Sequence, residues 1–462
     1  MSRRGVAMVV AAATAAAAGA TILTFETVGN PFESPPPRAA VLPAPAATSP
    51  AAEVVLAGGG QDETPSAEAL TDVLDRALAD AGLGGRVGAA VANLATGELL
   101  YARDADVPLT PASTLKLLTA AAALEVLGAE HRFATQVVTG ADPGEVILLG
   151  GGDPTLATTD PAMPGATSLA ELAEQTALAL GDAGVDTARL GFDESLFSGP
   201  AVNPHWRPTY VPSGVAAPVS ALAVDGGRET PGLAARVADP ALGTAEAFAE
   251  LLDEQGIAVD GDPYRAEAAA DAVSLANAES APLGDIVEYL IASSDNDVAE
   301  IVARQVAIGL GRPGAAEEAA VAVTDTLAGL GLDISALTVL DGSGLARGSA
   351  VPAALLVELL VLAADPAHPD LRPVLTGLPV AAFNGTLLER VEAAPGLVRA
   401  KTGTLTGVHS LAGFVQADDG TVYAFALLAD DADDSIEARA ALDDAATALA
   451  ECGCAASPAA AG

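Results

Sequence analysis

The sequence predicts a mixed α/β (α+β) fold: an antiparallel sheet flanked by helices and interrupted by an inserted, mainly-β accessory unit. Three observations predict it. Helical periodicity appears near both ends, in "ALTDVLDRALADAGL" and "DSIEARAALDDAATALAEC", and again from Ala281 onward. The stretch "GLVRAKTGTLTGVHSLAGFVQADDGTVYAFALLA" reads as successive antiparallel strands. Between these regions the texture changes. Residues 134–272 carry short apolar strands ("EVILLGGG", "ARLGFDESLF"), a helix ("LAELAEQTALALGDAG") and Pro-rich loops. A chain of 462 residues also exceeds what one hydrophobic core usually supports.

The elements follow in order. Arg3 and Arg4 precede an uncharged stretch from Gly5 to Phe25, the pattern of an export signal. Ala18-Gly19-Ala20 suits cleavage, yet the apolar run is long enough to span a bilayer, so residues 1–29 are either a signal peptide or a signal anchor. Residues 30–66 are rich in Pro and Ala and read as a disordered linker. The first helix starts near Glu68, and "RVGAAVANLATGELLYARDADVPL" reads as a hairpin turning at Thr96-Gly97. In "TPASTLKLLTAAAALEVLG", Thr110 suits the N-cap, Pro111 the first helical position and Gly128 the C-cap. After the 134–272 insert, "LGDIVEYLIASSDNDVAEIVARQVAIGLG" reads as helix, short break, helix. A turn-rich loop, "LDGSGLARGS", and more helices lead into the strands and the last amphipathic helix. The main domain is thus discontinuous, residues 67–133 and 273–455, with a tail at 456–462.

Acids outnumber bases 61 to 21, for a formal net charge of −40. Phosphates would be repelled, so nucleic acid is not expected as a partner, and a membrane only through an uncleaved N-terminal segment. Cys452 and Cys454 are the only cysteines. An exported chain permits a local disulfide between them, but so short a ring is strained and free thiols are equally compatible. With no His or Cys pair elsewhere at metal-ligand spacing, nothing calls for a metal or other cofactor.

The chain holds only two lysines, Lys116 and Lys401, while every other basic side chain is Arg. Lys116 stands three residues after Ser113, on the same helix face. A Ser hydroxyl is a poor nucleophile until a base takes its proton. Lys serves as that base when burial lowers its pKa, and Arg cannot. Lys401 opens Lys401-Thr402-Gly403-Thr404, on a strand. There Lys supplies a compact cation, the two Thr hydroxyls can bind a carboxylate, and Gly403 leaves room for a substrate backbone. Ser294-Asp295-Asn296 fills the interhelical break. Each motif alone fits ordinary structure: an exposed helical Lys, a surface strand, a capping loop. Together, in the order SxxK, SxN, KTG on helix, loop and strand, they form one set.

With that trio the chain resembles the penicillin-binding serine D,D-peptidases, and within them the low-molecular-weight class C D-alanyl-D-alanine carboxypeptidases/endopeptidases. The finer assignment rests on "LLGGGDPTL", "FSGPAVNPHW", "VAAPVSALAVDGG", "SSDNDVAEIVARQ", "LDGSGL", "NGTLLERV" and "AKTGTLTGVHSLAGFV", and on the about 180 residues between Lys116 and Ser294. The resemblance implies a transpeptidase/β-lactamase-like fold with an inserted domain. It implies catalytic roles for Ser113 as nucleophile, Lys116 as base, Ser294 as proton relay and Asn296 as a bond to the substrate amide. Lys401, Thr402, Gly403 and Thr404 would form the substrate-binding strand, Lys401 raising the local positive potential and Thr402 and Thr404 binding the substrate's terminal carboxylate, with the N–H groups of Ser113 and Thr404 as oxyanion hole. The implied partners are peptidoglycan stem peptides ending in D-Ala-D-Ala, and β-lactam antibiotics. A β-lactamase or esterase on the same fold, or a non-catalytic wall sensor, are the alternatives, and turnover separates them. From the N-terminal pattern the expected location is extracytoplasmic, secreted to the cell wall or anchored to the outer face of the cytoplasmic membrane.

Overall fold

A computed structural model describes residues 67–452, apart from 162 and 231. The apolar run at 5–25, the linker at 30–66 and Cys454 lie outside the described residues. Among the described residues, no helix is long and apolar enough to cross a membrane.

Helix α1 (Ala67–Ala77) leads into the hairpin β1 (Arg86–Asn93) and β2 (Leu99–Arg103). Gly97 takes the left-handed conformation in its turn, with φ 71°, and its N–H donates to the Asn93 carbonyl. Helix α2 (Leu115–Leu127) follows, and then the chain leaves this sheet. It builds β3 (Ala134–Thr139), β4 (Glu145–Leu149), α3 (Leu169–Asp182), β5 (Thr187–Asp193), α4 (Pro240–Glu254), β6 (Ala258–Val259), β7 (Tyr264–Arg265) and β8 (Ser274–Glu279). Helices α5 (Leu283–Ser293), α6 (Asn296–Gly309), α7 (Ala316–Gly329), α8 (Ala353–Ala364) and the short α9 (Pro373–Thr376) come next. The strands β9 (Val398–Leu405), β10 (Val408–Gln416) and β11 (Val422–Asp430) and helix α10 (Ser435–Ala450) complete the described chain.

The first sheet runs β2-β1-β11-β10-β9, antiparallel throughout, so strands from the two ends of the described chain share it. Alternation of side chains gives it two apolar faces. Ala90, Ala412 and Ala426 face a core made by α2, α5, α6, α7 and α8. Val91, Leu411 and Leu427 face α1 and α10. Small alanines on the first face let helix α8 lie against β1 and β11, while α2 is enclosed by α5, α6, α7 and α8, and every residue from Leu115 to Leu124 is buried. A helix apolar all round belongs at the centre of a core.

The second sheet runs β6-β5-β4-β3-β8, with β7 beside β5. It departs from the expected insert in two ways. Helices α3 and α4 cover it, burying Leu172, Leu180, Phe248 and Leu252, so it is a sheet with two helices and not mainly β. Its last strand β8 pairs antiparallel with β3, so the sheet extends to 279 rather than stopping at 272. Strand β4 pairs parallel with β5, a crossover bridged by α3.

One buried polar group in the first sheet carries a measurable consequence. His409 on β10 is 1% exposed, and neither ring nitrogen has a hydrogen-bond partner. Burial, helped by the Arg439 and Arg390 charges, pulls its pKa below the ordinary imidazole value. The folded state therefore holds it neutral, while the unfolded chain takes up a proton as pH falls below about 6.5. Its contribution to stability is intact above that pH and is lost as pH falls toward the folded-state value. His409→Leu is expected to gain thermal stability relative to the parent as pH drops from 7 to 5, by roughly 2 °C or more. A midpoint difference that does not change with pH would show that folding does not lower the imidazole's pKa.

Candidate active site

Ser113 lies in the turn that opens α2, but that turn is not capped as the sequence suggested. Thr110 is not the N-cap, because its hydroxyl donates to Asp430 Oδ2 at 3.1 Å instead. The helix begins with one 3-10 turn, Ala112–Thr114, closed by Thr114 Oγ1 on the Pro111 carbonyl at 2.7 Å. Ala112 is held left-handed, with φ 47°. A non-glycine residue in that region costs free energy and persists where its surroundings enforce it. Gly128 ends α2 as expected, its N–H on Leu124 O.

Lys116 lies on α2 with no solvent exposure. Its Nζ is 2.9 Å from Ser113 Oγ, 2.8 Å from Asn296 Oδ1 and 2.7 Å from the Ser343 carbonyl. Burial pulls the amine down to about 8, against the carboxylates of Asp341, Glu300, Asp295 and Asp297, which favour its protonated form. The SxN segment is the break between α5 and α6. Ser294 ends α5 in the left-handed conformation, φ 61°. Asp295 caps α6, accepting from the N–H groups of Asp297 and Val298. Asn296 opens that helix and faces Lys116.

Lys401 is likewise fully buried, on β9, and its Nζ donates to Ser294 Oγ at 2.8 Å and to the Thr402 carbonyl at 2.9 Å. Burial, and then the Lys116 charge, pull its pKa well below the ordinary amine value. The two amines thus serve different hydroxyls: Lys116 that of Ser113, Lys401 that of Ser294. Strand β9 is the last of its sheet. Its outer side carries the Ala400 N–H, which donates to Pro379 O. N–H groups alternate sides along a strand, so those of Thr402 and Thr404 point to the same outer edge. Thr404 is exposed there.

Gly403 has a different reason than the one read from sequence. A Cβ there would lie 2.1 Å from Ser410 Oγ and 2.8 Å from the Pro111 carbonyl. The space is filled by the protein's own turn before Ser113, so Gly403 lets β9 pack against that turn. The hydroxyl of Thr402 donates to Thr386 Oγ1 at 2.7 Å, a partner from "NGTLLERV" that motif reading did not single out.

The sequence profile of the D-Ala-D-Ala carboxypeptidase 3 (S13) family matches residues 70–235 and 228–449. The chain belongs to that family. As an S13 member it is 38% identical over 405 residues to a carboxypeptidase of Mycobacterium tuberculosis, covering 85% of this chain and 86% of that protein. It is 32% identical over 439 residues to a D-alanyl-D-alanine carboxypeptidase of Actinomadura sp., covering 76% and 79%. Penicillin binding protein 4 of Haemophilus influenzae superposes with a TM-score of 0.67 over 83% of this chain and 98% of that one, at 22% identity, a likeness of fold.

Within this S13 chain the insert also holds the SxN turn. Asn296 Nδ2 donates to Val215 O at 2.8 Å, and Asp297 Oδ1 accepts the Ala217 N–H at 2.6 Å. Arg228 pairs with Asp295 at 3.2 Å and Arg236 with Asp297 at 2.7 Å, the latter pair nearly dry. The segment "VAAPVSALAVDGG" was visible as a motif, but nothing in it announced contact with a turn about 80 residues away.

Proposed function

We propose that the chain is a serine-type D-alanyl-D-alanine carboxypeptidase that acts outside the cytoplasm, removing the terminal D-alanine of peptidoglycan stem peptides through an acyl-enzyme on Ser113. The observation that carries this is the Lys116 amine, buried and 2.9 Å from Ser113 Oγ, with its pKa drawn down to about 8. An amine so poised accepts the hydroxyl proton near neutrality, as a general base must. Ser113 Oγ attacks the carbonyl of the penultimate D-alanine, its proton passing to Lys116. Ser294, held by Lys401, passes its hydroxyl proton to the departing amine of the terminal D-alanine and takes back the one that Lys116 received. Asn296 bonds the substrate amide. The extended peptide lies along the outer edge of β9, where Thr402 and Thr404 present N–H groups and hydroxyls. The oxyanion sits on the N–H groups of Ser113 and Thr404. Water then hydrolyses the ester.

The extracytoplasmic location follows from the Arg3-Arg4 start and the apolar run behind it. A β-lactam presents a cyclic amide carbonyl to Ser113 in place of the peptide's open-chain one and leaves an ester that hydrolyses slowly.

Two measurements test the reading. Intact mass after penicillin treatment, followed by peptide mapping, is expected to place one covalent adduct on Ser113. Incubation with a stem pentapeptide is expected to release D-alanine. Labelling at another residue, or none in a folded sample, removes Ser113 as the nucleophile. Trapping without peptide turnover would make the protein a sensor, and rapid release of hydrolysed penicillin a β-lactamase.

A further inference from the structure

We propose that Asp341 and Glu300 are positioning residues of this reaction: through the 341–344 loop they hold the Ser343 carbonyl against the Lys116 amine and supply negative charge that the amine faces. This rests on Lys116 acting as base for Ser113. The loop is the "DGSG" of "LDGSGL", a motif for which the mechanism above has no use.

Lys116 Nζ donates to the Ser343 carbonyl at 2.7 Å. The N–H of that same peptide unit, on Gly344, donates to Asp341 Oδ1 at 3.1 Å. A carboxylate on the N–H of a peptide strengthens its carbonyl as an acceptor. Asp341 is therefore one peptide unit away from the base. Its Oδ2 accepts the Ala346 N–H at 2.7 Å, the Trp206 indole N–H at 3.0 Å and the Ser343 hydroxyl at 3.2 Å. Every one of these partners is a donor, the surroundings a buried carboxylate needs. Trp206 is the only tryptophan of the chain and comes from the insert.

Glu300, on α6 and 3% exposed, holds the loop from the other side. Its Oε1 accepts the N–H groups of Gly342 at 3.0 Å and Ser343 at 2.8 Å. The Gly342 carbonyl in turn accepts Thr119 Oγ1 of α2 at 2.7 Å. The loop has no slack. A Cβ on residue 342 would lie 2.6 Å from the Ala299 carbonyl, and one on residue 344, where φ is +82°, 1.9 Å from the Ala112 carbonyl. It is wedged between α6 and the turn that carries Ser113.

The charged groups around the Lys116 amine are the carboxyls of Asp341, Glu300, Asp295 and Asp297 and the amine of Lys401, with Arg304 of α6 facing Glu300. Burial, with Asp341 beside it, pushes the Glu300 carboxyl above the usual carboxylate range. Its ionisation thus falls in the same pH region as that of Lys116, and a negative charge there delays release of the amine's proton.

The test is the pH profile of the second-order rate of acylation at Ser113 by a chromogenic β-lactam, for the parent, Glu300→Gln and Glu300→Ala. Gln keeps an oxygen for the two N–H groups but removes the ionisable proton. Its acid limb is expected to move to lower pH by about half a unit or more. Ala leaves both N–H groups without an acceptor and loosens the loop, and is expected to lose about 10²-fold at every pH. A Glu300→Gln profile that superimposes on the parent's, with the parent acylated at Ser113, overturns the inference while leaving the proposed function standing. If Glu300→Ala fails to fold, the Glu300→Gln profile alone decides. If the parent itself shows no adduct on Ser113, it is the proposed function that fails.

Discussion

Lys116→Arg is expected to abolish acylation by β-lactams while the protein remains folded. The Lys116 amine has three neighbours, Ser113 Oγ, Asn296 Oδ1 and Ser343 O. In its neutral form it donates two N–H groups to the carbonyl oxygens and offers its lone pair to the Ser113 hydroxyl. A guanidinium also donates, but it has no lone pair to offer and does not lose its proton in a protein. Loss of a general base costs about 10²–10⁴ in rate, and the acylation rate constant is expected to fall at least that far. The extra bulk in a fully buried site adds a stability cost of about 1–3 kcal/mol, so the thermal midpoint drops without loss of the fold. Second-order acylation rates, read beside circular dichroism, decide the matter. Near-parental acylation by the Arg variant would show that Lys116 is not the base.

Lys401→Arg is expected to retain acylation at a rate reduced by about 10²-fold, since a small displacement of a catalytic group carries a cost of that order. In the proposed mechanism position 401 supplies a cation near the substrate carboxylate, and Arg provides one. The loss comes from geometry. Lys401 is buried and reaches Ser294 Oγ at 2.8 Å, so it places a second hydroxyl as well as a charge. A forked, planar head cannot occupy the same point and moves Ser294. The Arg variant should also show an acid limb at lower pH, because a permanent cation beside Lys116 disfavours its protonated form. An Arg variant within twofold of the parent would mean that only charge matters at this position. One as inactive as Lys116→Arg would mean that the amine itself takes part in proton transfer.

The chemistry was legible because it uses residue types that nothing else replaces. A chain that writes Arg nearly everywhere keeps Lys at two positions, and the structure buries both, Lys116 bonded to Ser113 and Asn296 and Lys401 bonded to Ser294. The strands around Lys401 and the interhelical break at Ser294 followed from local pattern alone. What was hidden depends on contacts distant in sequence. Thr110 looked like an N-cap because caps are judged locally, whereas its hydroxyl is taken by Asp430, 320 residues away. Gly403 has its cause in Ser410 and Pro111, which no spacing rule connects to it. Strand β8 lies well over 100 residues along the chain from its partner β3, so its place in the second sheet left no local trace. Helix α4 is the exception. Asp239 as N-cap and Pro240 at the first position were readable start signals, overlooked beside the Pro-rich loops.

The burial of both lysines reaches beyond the reaction. With no other lysine in the chain, the folded molecule presents no ε-amine to solvent. Amine-directed labels and amine-coupling supports have no lysine to grip on the native protein. A lysine-specific endoprotease finds no site until the chain opens, and then only two, giving 1–116, 117–401 and 402–462. Because both cuts lie inside the reactive centre, the rate at which those three fragments appear reports how often that centre itself comes apart, as distinct from the fraying of loops elsewhere.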